Sequence, residues 1–168
     1  MRVRDATRED VPALRTVHEA AIRELGPDGY DDDQIDAWAS GVQSATYDVI
    51  DNPAFEFVVA EDETVVGFGS LRREPPNGYE ADVDGEVTGV YVHPDHAGDG
   101  VGTTLLRELE TSARDADLAS LGLHASLNAV AFYDARGYDR VTTHSHEFST
   151  HEDTGVSGTV VEMVKRVD

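Results

Sequence analysis

HPDHAGDGVGTTLL, residues 93–106, carries glycine at positions 98, 100 and 102 and then enters a leucine-bearing run. Glycine at alternate positions lets backbone come close to something that side chains would hold away. Upstream, EVTGVYVHP (86–94) reads as a strand stopped by Pro94. Downstream, Val101, Leu105, Leu109 and Ser112 or Ala113 recur at helical spacing, which predicts a helix over 101–115. A strand, a glycine turn and a helix whose first amides lack partners together make an anion site.

The spacing Gly98-x-Gly100-x-Gly102 separates the phosphate binders. A nucleoside-triphosphate loop needs Gly-Lys-Ser/Thr, and this stretch has no lysine. A dinucleotide fingerprint needs two residues before its last glycine and an acid about 20 residues on, after a strand, and that match fails. A methyltransferase could use G-x-G-x-G, but after the first strand of a long doubly wound domain. Here too little chain follows.

The rest of the chain reads as one mixed α/β domain over residues 1–168. RVRDA (2–6) is a short strand, and Thr7 with Asp10 resembles a capping box. Val11, Leu14, Val17, Ala21, Ile22 and Leu25 predict an amphipathic helix over 9–25, ended by Gly26-Pro27. DDDQIDAWAS (31–40) suggests a second helix, with Ile35 and Trp38 on one face, and FEFVVAEDETVVGFGSLR (55–72) a hairpin. Residues 73–84 form a proline-bearing acidic loop, SLGLHAS (120–126) a strand, and NAVAFYDARGYDR (128–140) a short helix closed by Gly137. Two last strands fall near 141–148 and 159–166.

Charge narrows the partners. Thirty-four acids face thirteen bases for a net charge of −21, and Lys165 is the single lysine. Such a composition is expected of a halophilic protein, because at about 1 M salt the Debye length falls to roughly 3 Å and screens this self-repulsion. No basic patch is available to neutralise phosphates, so nucleic acid is not an expected partner. No apolar run approaches the roughly 18–20 residues of a membrane span, and MRVRDATRED is charged from its second residue. With no cysteine, disulfides and thiolate chemistry are excluded. A cytoplasmic location is expected.

LLRELE after the loop, and then SLNAVAFYDARGY, resemble the GNAT superfamily of acetyl-CoA-dependent N-acetyltransferases. The family's Arg/Gln-x-x-Gly-x-Gly/Ala motif is similar to Ala97-Gly98-Asp99-Gly100-Val101-Gly102, with Ala97 in place of its first residue. The Asn128, Phe132-Tyr133, Gly137-Tyr138 pattern resembles the second conserved region. The resemblance implies an α+β GNAT fold: a strongly twisted mixed sheet of six or seven strands, flanked by about four helices. It also implies that backbone N–H groups of residues 98–103 (Gly98, Asp99, Gly100, Val101, Gly102 and Thr103) cradle the coenzyme A pyrophosphate. Val90, Tyr91 and Val92 would pair with the pantetheine arm as an added strand, with Asn128 beside it and Tyr133 facing the sulfur.

Acetyl transfer to an amine needs a base, a held oxyanion and an acid for the leaving thiolate. Glu86 is the candidate base and Tyr133 the candidate acid, while Gly89 marks an expected bulge aiming a free N–H at the thioester oxygen. The implied acceptor is a primary amine of a small molecule or peptide, and dimers are common in the family. Tyr30, Trp38 and Tyr47 lie where such folds build acceptor pockets, though a core role is the favoured reading of Trp38. Glu86 also reads as a solvated strand-edge acid, and Asn128 as a helix cap. His93 and His96 read as surface residues flanking the loop. His144, His146 and His151 read as an ordinary polar edge rather than metal ligands, and no metal is expected. A GNAT-like module that binds acetyl-CoA without transferring the acetyl group remains the alternative.

Overall fold

A computed structural model describes residues 1–148 and 155–168. Seven strands form one sheet among the described residues, in the order β1-β2-β3-β4-β5-β7-β6. These are β1 (Arg2–Asp5), β2 (Phe55–Asp62), β3 (Thr64–Arg72), β4 (Gly85–Val92), β5 (Ser120–Ser126), β6 (Asp139–Glu147) and β7 (Ser157–Arg166). Four α-helices accompany them: α1 (Val11–Leu25), α2 (Asp32–Ala39), α3 (Val101–Asp115) and α4 (Val130–Asp134). The mixed GNAT-type sheet expected from the sequence is therefore present. Every pairing is antiparallel except that of β4 with β5.

Strand alternation assigns the two faces of the sheet. On β2, Val58 and Ala60 join the cluster under α3, with Leu105, Leu109 and Ala113 of α3 and Leu121, Leu123 and Met163 of β5 and β7. Phe57 and Val59 point the other way, into a cluster with Leu14 and Val17 of α1. Leu105 and Leu109 are fully buried, so truncating either to alanine should cost about 2–5 kcal/mol.

Two local features shape the opening described below. Ser70 pairs with Gly89 and Leu71 with Val87, so Thr88 is an extra, unpaired residue beside Gly89, a bulge where one was expected. The segment 128–140 departs from its reading as one helix. Leu127–Ala129 form a 3-10 turn, α4 covers only Val130–Asp134, and Asp139 already belongs to β6. The closure itself is where the sequence placed it: Gly137 is left-handed (φ 91°), and the Tyr138 N–H returns to the Tyr133 carbonyl at 3.1 Å. α1 ends at Leu25 with Gly26 as its cap, where the sequence placed the end, and a separate 3-10 turn, Gly26–Asp28, follows.

Candidate functional site

Strands β4 and β5 touch at two residue pairs, Gly85 with Leu121 and Glu86 with Gly122. Past the Thr88 bulge they part, and a cavity of about 380 Å³ opens between 90–92 on β4 and Ser126 with Asn128 beyond β5. The first turn of α3 closes one side, and α4 contributes Phe132 and Tyr133. Of the residues predicted from sequence, Val90, Tyr91, Val92, Ala97, Gly98, Gly100, Val101, Gly102, Thr103, Asn128, Tyr133 and Trp38 line this one cavity, and His96 joins them. Asp99, Glu86 and Tyr30 do not.

The backbone itself also calls for glycine in this loop. Gly98 and Gly100 adopt φ of 83° and 85°, where side chains are strained, and a Cβ on either would meet nothing within 4 Å. The dihedral requires glycine there, whereas Gly102 is required by packing: its Cβ would lie 3.1 Å from the Phe132 ring. Thr104 N–H bonds the Gly100 carbonyl at 3.0 Å and closes the first helical turn. The amides of Val101, Gly102 and Thr103 precede that bond and have no intrahelical acceptor. Asp99 is excluded from the amide set because its N–H bonds the His96 carbonyl at 3.3 Å. His93 accepts the Asp95 N–H at 3.2 Å and caps the turn.

Where Ala97 offers no polar group, Arg136 does. Its Nε donates to Thr103 Oγ1 at 2.8 Å, its Nη1 donates to the Phe132 carbonyl at 2.8 Å, and the guanidinium lies 3.9 Å from the Phe132 ring centroid. A fixed positive charge thus lines the cavity beside the α3 N-terminus, which itself favours anions. Sequence reasoning missed it, reading Arg136 only as part of a helix end. The available signal was its i,i+4 spacing from Phe132.

Asn128 Oδ1 is buried with no hydrogen-bond partner, although the residue lines the cavity. An orphaned buried acceptor costs about 1–3 kcal/mol, and a ligand N–H in the cavity would relieve that cost. Tyr133 is buried, which pushes its phenol above the ordinary value and keeps it protonated through neutral pH.

Glu86 sits at the vertex where the strands part and accepts a hydrogen bond from the Tyr79 hydroxyl at 2.5 Å. Burial raises its pKa, with Tyr79 and Arg72 pulling the other way. Tyr30 is structural: its hydroxyl donates to the Thr159 carbonyl at 2.6 Å and accepts the Leu127 N–H at 3.0 Å. Trp38 stacks on Phe148 while also reaching the cavity wall. Tyr47 packs against His18, whose Nδ1 is 3.0 Å from its hydroxyl. His144 lies 2.7 Å from Glu162, and His124 of β5 comes beside them; His151 lies outside the described residues.

The profile of the Acetyltransferase (GNAT) family matches residues 12–138. The chain belongs to the GNAT acetyltransferase family. A solved GCN5-related N-acetyltransferase from Rhodopseudomonas palustris is similar over 98% of this chain and 94% of its own, with 27% identity and a TM-score of 0.83. The PaiA N-acetyltransferase from Thermoplasma acidophilum, solved with coenzyme A, shares the fold at 17% identity and a TM-score of 0.72, over 98% of each chain. A ribosomal-protein-alanine N-acetyltransferase from Brucella melitensis matches over 99% of each chain at 25% identity and a TM-score of 0.63. No curated protein matches this GNAT chain in sequence. No described helix is long and apolar enough to cross a membrane.

Proposed function

We propose that this GNAT chain is an N-acetyltransferase that moves the acetyl group of acetyl-CoA to a primary amine of a small molecule or peptide, by direct attack in a ternary complex. The observation that carries this reading is the orphaned Asn128 Oδ1, set in the same cavity as the uncapped amides of α3. The residues present fit the coenzyme. Gly98, Gly100, Val101, Gly102 and Thr103 offer backbone to the pyrophosphate, and Arg136 supplies the cation that position 97 lacks. The edge of β4 that faces β5 has no ladder partner past Glu86, which suits an added strand at 90–92.

Acetyl-CoA supplies the acyl group already activated as a thioester. Tyr133 holds the proton for the leaving sulfur. Glu86, whose pKa is raised by burial and one of whose oxygens is held by Tyr79, takes the amine proton through a water. Backbone beside the Thr88 bulge faces the developing oxyanion. Proximity of the two bound substrates contributes most of the acceleration.

The net charge of −21 favours a cationic amine and disfavours nucleic acid. The same reading makes residues 1–168 a single cytoplasmic domain working in molar salt, free or as a homodimer and away from membranes. Acetyl-CoA turnover against a panel of primary amines in high salt, with products identified by mass, tests it. Acetylated amine is the expected result. Tight acetyl-CoA binding with no transfer to any amine would replace it with a sensing module, and preference for S-adenosylmethionine would overturn it.

A further inference from the structure

We propose that His124, His144 and Glu162 form a binding site for one divalent transition-metal ion of the zinc class, separate from the coenzyme cavity. The three residues come from adjacent strands β5, β6 and β7, with β7 in the middle. His124 and Glu162 are register partners, so their side chains leave the same face of the sheet. One potential ligand atom from each residue lies within 4.8 Å of the other two. A tetrahedral ion with nitrogen and oxygen bonds near 2.0–2.1 Å spaces its ligand atoms roughly 3.4 Å apart. Side-chain adjustments of about 1 Å reach that spacing: His124 moves inward, and the 2.7 Å contact of His144 Nε2 with Glu162 Oε1 opens to admit the ion.

Three features mark the cluster as a prepared site. His124 Nε2 is buried with no partner, a cost that metal coordination would remove. Its ring is fixed by stacking on Tyr79, centroids 4.2 Å apart and planes 13° from parallel. Glu162 is fully buried, and its two oxygens are oriented by the N–H groups of Glu80 (2.8 Å) and Ala81 (2.9 Å). Backbone donors of this kind are the outer-shell support that metal-ligating carboxylates receive. Two imidazoles and one carboxylate select zinc, cobalt or nickel over magnesium or calcium, and three protein ligands leave a position for water. None of the three lines the coenzyme cavity, so the proposal does not depend on acetyl transfer.

The test is metal binding by the full chain after chelator treatment and dialysis. Zn²⁺ should raise the unfolding temperature and saturate at one ion per chain, and Co²⁺ should give visible absorption bands at the same stoichiometry. His124→Phe keeps a ring against Tyr79 but removes a ligand, and should weaken binding by at least about tenfold. His144→Asn should do the same, and serves if the first variant folds poorly. A double His93→Ala, His96→Ala variant, removing the other histidine pair, should bind as the parent does. The proposal is overturned if the chelator-treated chain shows no Zn²⁺-dependent shift, or if His124→Phe and His144→Asn shift as the parent does. In that case His144 and Glu162 are a hydrogen-bonded pair and nothing more.

Discussion

Arg136 Nε donates to Thr103 Oγ1 at 2.8 Å and so ties the chain just past α4 to the first turn of α3. This bond holds a guanidinium at the cavity wall, at the end of α3 where the helix dipole is positive. Charge-assisted hydrogen bonds contribute about 1.5–3 kcal/mol, so Arg136→Ala should weaken acetyl-CoA binding by about tenfold or more. Titration calorimetry would measure it. The turnover number at saturating acetyl-CoA should change far less, because the proposed contact is with phosphate and not with the reacting atoms.

Asn128→Ala should separate binding from stability. Its Oδ1 has no protein partner to lose and its burial is itself a cost, so the unfolding free energy should hold or rise, by up to about 3 kcal/mol. The loss should appear in acetyl-CoA affinity, by a factor of about 2–10 for one neutral hydrogen bond. A large drop in melting temperature without acetyl-CoA would show that Asn128 is only structural.

At Gly100, φ of 85° makes any side chain strained, at about 1–2 kcal/mol. Gly100→Val should therefore distort the loop and abolish detectable acetyl-CoA binding while leaving a folded protein by circular dichroism. Retained binding would remove the loop from the pyrophosphate site.

Tyr133→Phe should lower turnover by about 100-fold while acetyl-CoA affinity changes by less than about threefold. Single-turnover kinetics at saturating acetyl-CoA read this directly. An unchanged rate would take Tyr133 out of the acid role.

Glu86 gives a prediction in pH. Its folded pKa is raised above the ordinary 4.5, chiefly by burial, so the folded state binds the proton more tightly than the unfolded chain. Its contribution to stability is complete below about pH 4.5 and is lost as pH rises through the folded value. Glu86→Gln removes that loss, so its melting temperature relative to the parent should be higher at pH 7 than at pH 4. If Glu86 is the base, the same variant should also lose about 100-fold or more in turnover at pH 7. A more stable variant with full turnover would assign the proton to a water chain without Glu86.

Much of this protein was legible from local pattern. The helix at 101–115 and the strand at 120–126 match the observed elements at both ends, because period-3.6 and period-2 burial are written along the chain. The turn at Gly98 and Gly100 was legible for a similar reason, since a left-handed backbone calls for glycine wherever the turn occurs. By contrast, 128–140 read as a short helix closed by Gly137, and that closure is present, but the segment opens with a 3-10 turn and its end already belongs to β6, where Asp139 pairs with Val164.

The sequence by itself determined the family, the glycine turn before α3 and the order of elements around it. Only the tertiary structure decided which residues face one another. Arg136 reaches the cavity wall because α4 packs beside the start of α3, bringing it to Thr103 from 33 positions away. His124, His144 and Glu162 meet because three strands lie side by side in an order that differs from their order in the chain. Local periodicity reports which face a residue takes. Long-range strand pairing decides its neighbours on that face, and no short stretch of sequence carries that information.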